Sequence, residues 1–251
     1  MKAGLKFLPV GIVAYVLFLV VTAPAAKVIP YFESQLQGAR LAGLSGTLWS
    51  GRALQVSVPP VQLTQVGWQF KPLRLLLGSI AFQLDGQLSG KAFSALAGRG
   101  LFSGPYLADV TGSVSAVDLM FWAGLSAVEL DGELNFLLDD VEFSPHGVPA
   151  VAGQLTWKPA MVLAPIELNL GLGELTTAIE PDGVTRGQLI ANGGALTMQG
   201  EVTLQADGHY QLVGDVKKTG TVPQAVDKFL STFAEAGNGG YRLEWSDQIK
   251  K

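Results

Sequence analysis

The chain has 251 residues, 48% hydrophobic and only 15% charged, with 31 glycines, 13 prolines and no cysteine. The missing cysteine excludes disulfides, thiolate metal sites and thiol nucleophiles. The net charge is −4, and the only basic clusters are the pairs Lys217–Lys218 and Lys250–Lys251. Nucleic-acid binding is therefore not expected, since phosphate neutralisation needs a clustered positive face.

Phe7 to Ala26 carries no charge and would span about 30 Å as a helix, the thickness of a bilayer's hydrocarbon core. Lys2 and Lys6 precede it, which predicts a cytoplasmic N-terminus and export of the rest. Residues 1–26 thus read as a single-pass membrane anchor. Ala23-Pro24-Ala25 also imitates a signal-peptidase site, so a cleaved signal peptide is the rival reading. The apolar run exceeds the usual signal core of about 7–15 residues, which favours the anchor. Without Lys2 and Lys6, the 17 basic residues become 15 against 21 acidic ones, leaving an acidic exported part. Residues 27–42, with Val28, Ile29, Phe32 and Leu36, read as a juxtamembrane connector with helix-like spacing.

Residues 43–251 read as one β-rich domain. The pattern apolar-x-Gly-x-apolar recurs around Gly46, Gly86, Gly112, Gly132, Gly153, Gly200 and Gly214, more weakly around Gly187. Alternation with period two marks strands with one apolar face, and the glycines fall on that face. A glycine inside a strand marks a bend, a bulge or a close backbone approach. Repeated on one face, it predicts a curled antiparallel sheet with the glycines on its concave side. The clearest hairpin sets Leu196, Met198, Gly200, Val202 and Leu204 against Tyr210, Leu212, Gly214 and Val216, turning at Asp207-Gly208. Pro223 then opens a predicted amphipathic helix with Val226, Phe229, Leu230 and Phe233 on one stripe and Gly237 as its stop. Tyr241, Leu243 and Trp245 alternate in a last strand.

Chemistry-bearing patterns are sparse. His146 and His209 both read as turn residues, in Ser144-Pro145-His146-Gly147 and after Asp207-Gly208. Gly171-Leu172-Gly173 lacks the third glycine of a dinucleotide loop. Glu129, Asp131 and Glu133 alternate with Leu130 and Leu134, so the acids read as the solvated face and not as a metal site. Asp139-Asp140-x-Glu142 likewise lacks a glycine-centred calcium loop. No catalytic, metal or cofactor residues are expected, and the chain reads as a non-enzyme. Trp49, Trp68, Trp122, Trp157 and Trp245 read either as packing or as a contact surface for protein or lipid. Trp49 with Gly46 and Gly51, Trp157 and Trp245 are the candidate contact residues.

Gly43-Leu44-Ser45-Gly46-Thr47-Leu48-Trp49-Ser50-Gly51-Arg52-Ala53, shortly after the anchor, carries the most specific pattern, G-x-x-G-T-x-W-x-G-x-A. With Trp157-Lys158-Pro159 and the Tyr241-x-Leu243-x-Trp245 strand, it resembles the type II secretion system protein N family. The resemblance covers essentially the whole chain. It implies an accessory, structural inner-membrane subunit of the machinery that exports folded proteins across the outer membrane. Its implied partners are other inner-membrane secretion components and the secretin. A more distant likeness to AsmA-type proteins implies a curled groove or half-barrel, and with it the alternative of a periplasmic lipid-binding or lipid-bridging module.

Overall fold

The computed structural model describes residues 8–31, 38–124, 128–143, 147–237 and 240–249. Lys2, Lys6, Phe7, Phe32, Leu36 and His146 lie outside this set, as do the side chains of Phe229 and Phe233. Two helices come first, α1 (Leu8–Val21) and α2 (Ala25–Val28). Strands β1 (Arg40–Ala42), β2 (Ser45–Gly46), β3 (Ser50–Val58) and β4 (Val61–Phe70) lead into α3 (Leu73–Leu76). Next come β5 (Ser79–Leu88), β6 (Lys91–Gly100), β7 (Pro105–Ser115) and α4 (Ala116–Ala123). Strands β8 (Glu129–Glu142), β9 (Ala150–Ala164), β10 (Leu168–Ile179), β11 (Thr185–Gly193), β12 (Leu196–Leu204) and β13 (His209–Lys218) follow. The chain closes with α5 (Gln224–Phe233), β14 (Ala234–Gly237) and β15 (Gly240–Gln248).

The protein is mainly β, as its alternation predicts. All 15 strands join one antiparallel sheet whose neighbours follow almost strictly in chain order, a meander that does not close on itself. The predicted hairpin pairs Leu204 with Tyr210 and Leu196 with Lys218. Its turn residue Gly208 has φ +91°, a conformation that costs a side-chain-bearing residue dearly.

The helix from Leu8 ends at Val21, short of Ala26, and α2 starts afresh at Ala25. Pro24 is the cause: it has no N–H to donate and biases Ala23 away from helical geometry. The 14 residues of α1 rise about 21 Å. Among the described residues, no helix is long and apolar enough to cross a membrane. The sheet also begins earlier than the predicted boundary at Gly43, with β1 at Arg40. Helix α5 ends at Phe233, before Gly237, because β14 takes over from Ala234.

The sheet bends sharply. Val148, just before β9, donates its N–H to the Ala206 carbonyl after β12 at 2.9 Å. In a flat sheet those strands would sit about 14 Å apart. One cavity of about 300 Å³ is likewise lined by Val162 of β9, Leu168 of β10, Met198 of β12 and Leu243 of β15. Flat, the outer pair would be about 24 Å apart.

Curvature does not produce a filled core. No large side chain among the described residues is fully buried. The accessible surface is 16242 Å², whereas a compact monomer of this mass exposes about 10,700 Å². Two small buried clusters sit where helices cover the sheet. Val114, Ala116 and Leu134 pack with Trp122 of α4, and Leu196, Val216, Val226 and Leu230 pack beneath α5.

Candidate functional site

Residues paired across antiparallel strands point to the same face of the sheet, so the register identifies a surface. One unbroken row runs Val114, Leu134, Trp157, Gly173, Ala191, Met198, Val216 and Tyr241, from β7 to β15. The next row reads Gly112, Phe136, Leu155, Leu175, Leu189, Gly200, Gly214 and Leu243. Towards the start of the sheet, Phe70, Phe82, Ala97, Leu107, Val141 and Val151 continue the apolar character. Trp49 extends that row through aromatic contacts, its ring centroid 5.0 Å from that of Phe70, which lies 5.4 Å from that of Phe82. On the reverse face the corresponding row is Ser113, Asn135, Thr156, Glu174, Ile190, Gln199, Asp215 and Arg242, nearly all polar. The candidate site is therefore an apolar face. Along its middle, Phe136, Leu155, Leu175 and Leu189 are each only partly buried.

Two of the pattern glycines, Gly86 and Gly112, and Gly51 of the Trp49 motif gain a further cause here. Gly51 pairs with Trp68, Gly86 with Phe93 and Gly112 with Phe136. In each pair the aromatic ring lies where a Cβ on the glycine would stand. The glycines let large rings lie flat on the sheet, which covers backbone without building a thick core.

The Trp49 motif builds the joint between α1 and the sheet. Thr47 Oγ1 accepts the backbone N–H groups of Trp49 at 3.3 Å and Ser50 at 3.1 Å, while Gly46 and Gly51 pair to close the hairpin. The Trp49 indole N–H donates to the Val20 carbonyl near the end of α1 at 2.8 Å, and Leu48 N–H reaches the Ala23 carbonyl. Trp49→Phe should keep the stacking on Phe70 but lose the indole bond. The expected cost is about 1 kcal/mol in the docking of α1, read as faster protease cleavage between Val21 and Pro24.

The candidate tryptophans are not gathered into one spot; they are spaced along one face. Trp49 lies at the β3 end, Trp157 in β9 and Trp245 in β15. All three spend their indole N–H inside the protein. Trp157 donates to the Asp131 carbonyl at 2.9 Å and Trp245 to the Tyr210 hydroxyl at 3.2 Å. What they offer outward is ring surface, apolar and without a donor.

Four ion pairs occur among the described residues. Among the described residues no group of three or more His, Asp or Glu side chains converges as a metal site would require. Glu133 meets Lys91 at 3.0 Å, and the Ser113 hydroxyl together with that ammonium holds its carboxyl below the ordinary range. His209 sits in its turn, where its backbone N–H and then its ring lower the pKa of Asp207.

Sequence reading missed Lys218. It shares the parity of Val216, so it stands on the apolar face at the end of β13, with its Nζ 2.5 Å from Asp227 of α5 and 5.2 Å from the Tyr241 ring centroid. Bonding to Asp227, aided by Tyr241, raises its pKa. A raised folded-state value means the contact is fully present below the ordinary lysine value and is lost as pH rises through the folded one. Helix α5 should therefore stay docked through neutral pH and loosen only in alkali. Faster amide exchange at Val226 and Leu230 would report this, and Asp227→Asn should erase the alkaline step.

The family described as "Type II secretion system (T2SS), protein N" matches residues 37–244. The chain is similar to the type II secretion system protein N of Vibrio cholerae serotype O1, 26% identical over 223 residues and covering 85% of this chain and 86% of that one. The protein of that name from Aeromonas hydrophila is 26% identical, covering 99% of this chain and 100% of its own. The Klebsiella pneumoniae protein is 25% identical over 94% of both chains. No solved structure matches.

Proposed function

Because this chain belongs to the type II secretion system protein N family, we propose that it is an anchored, non-catalytic scaffold of that machinery. Residues 1–26 would hold it in the inner membrane with a cytoplasmic N-terminus, 27–42 would lead out, and 43–251 would stand in the periplasm. Its partners would be other inner-membrane secretion components and the secretin. The observation that carries this reading is the family match across residues 37–244. The character of α1 supports the anchor: Ile12, Tyr15, Val16, Phe18 and Val21 are all exposed, and such side chains favour lipid over water. The Trp49 joint supports a scaffold, since it ties that helix to the sheet. A photoreactive residue at Trp49, Trp157 or Trp245 in secreting cells should capture other secretion components. Capture of none, with the machinery intact, would overturn the scaffold reading.

A second reading, lipid binding along the sheet, is favoured by the apolar rows from β7 to β15. Each methylene withdrawn from water into such a face contributes about 0.8 kcal/mol, so a face of this length suits hydrocarbon. Mass spectrometry of the gently purified chain should find co-purifying lipid. Lipid-free protein would end this reading and leave the scaffold untouched.

A further inference from the structure

The cavity beneath α5 combines an apolar lining, a helical cover and a cation nearby. Its walls include Leu196, Met198, Val216, Val226, Leu230 and Leu243, with no polar side chain among the lining residues. Its volume of about 300 Å³ lies at the small end of the range of small-molecule sites. A cation stands at its rim. Lys218 pairs in register with the wall residue Leu196 and lies two positions beyond Val216. Its ammonium reaches Asp227, next in sequence to the wall residue Val226. The partner of this ammonium is one carboxylate on a helix that covers the cavity. Both side chains keep contact with solvent, at 33% for Lys218 and 44% for Asp227, so an incoming anion can compete for the ammonium.

We propose that this cavity takes the end of an acyl chain and that Lys218 takes the anionic head attached to it, displacing Asp227. The ligand class is a hydrocarbon chain carrying a carboxylate or a phosphate, a free fatty acid or an acidic membrane lipid. This rests on the lipid reading of the apolar face and adds a place, a charge preference and a cover. Charge complementarity selects the occupant: an uncharged amphiphile would fill the walls but leave Lys218 with Asp227. Helix α5 is the cover. It docks through Val226 and Leu230 and is tied by the ion pair that the head would replace.

The full chain, reconstituted in phosphatidylcholine nanodiscs, is photolabelled with three probes bearing a diazirine in mid-chain. These are palmitic acid, phosphatidylglycerol and hexadecanol, and the labelled residues are mapped by mass spectrometry. One or both acidic probes should label cavity residues such as Met198, Val226 and Leu230, and the alcohol should label them about fivefold less. Labelling by the fatty acid alone assigns a carboxylate head, and labelling by the phospholipid alone a phosphate head. Lys218→Ala should lower acidic labelling by about fivefold and Lys218→Arg should retain it. Met198→Trp should block cavity labelling, with circular dichroism confirming that the sheet persists. If Met198→Trp unfolds the chain, the two Lys218 variants decide alone. Equal labelling by acid and alcohol, or indifference to Lys218→Ala, would overturn the proposal. Labelling of Leu155, Leu175 and Leu189 without the cavity would overturn this inference while the wider lipid reading stands. No labelling anywhere would sink both.

Discussion

Gly132→Ala should destabilise the folded domain by about 3 kcal/mol or more, whereas Gly90→Ala should cost about 1 kcal/mol. Both glycines have positive φ, +110° at Gly132 and +78° at Gly90, so both substitutions strain the backbone. They differ in what a methyl group would meet. At Gly90 nothing lies within 4 Å, but at Gly132 the new Cβ would run into the Pro159 carbonyl. Gly132 sits in the β8–β9 irregularity between Asp131 and Glu133, where the Asp131 carbonyl also receives the Trp157 indole. Moving the backbone aside would therefore disturb that bond and the row that contains Trp157. Urea unfolding followed by tryptophan fluorescence measures both variants, and equal costs would mean that close approach is not the reason for Gly132.

Much of this was legible in the sequence because strand alternation is local. Leu196 to Val216 announces its hairpin, its register and its apolar face without reference to the rest of the chain. The glycines announced a departure from flatness, but not all of its causes. That Phe136 lies over Gly112 depends on which strand pairs with which, and those residues are 24 positions apart. The helix break before Ala25 was not read from the sequence, where length and hydropathy carried one helix through Ala26; the steric effect of Pro24 outweighed the apolar run. Lys218 stayed hidden because a lysine at a strand end reads as solvated; only the docking of α5 brings Asp227 to it. The Trp49 motif was legible as a motif, but its task of joining the sheet to α1 required knowing where Val20 lies.

Leu189→Asp should cut secretion by on the order of tenfold while leaving the chain folded. Leu189 lies midway along the apolar face, paired with Leu175 on one side and Gly200 on the other. A carboxylate there places charge on the apolar face that the lipid reading needs uninterrupted. Gln188→Asp, one residue along on the polar face, should leave secretion unchanged. Loss of secretion in both variants would point to a general fault of β11 and not to the face.

The same variant tests whether the sheet leaves one apolar side uncovered by its own chain. Equilibrium urea unfolding of the full chain should show that Leu189→Asp costs about 1–2 kcal/mol, because water reaches a partly exposed carboxylate. A loss of about 4 kcal/mol or more would mean that Leu189 belongs to a closed core, which would contradict the open apolar face.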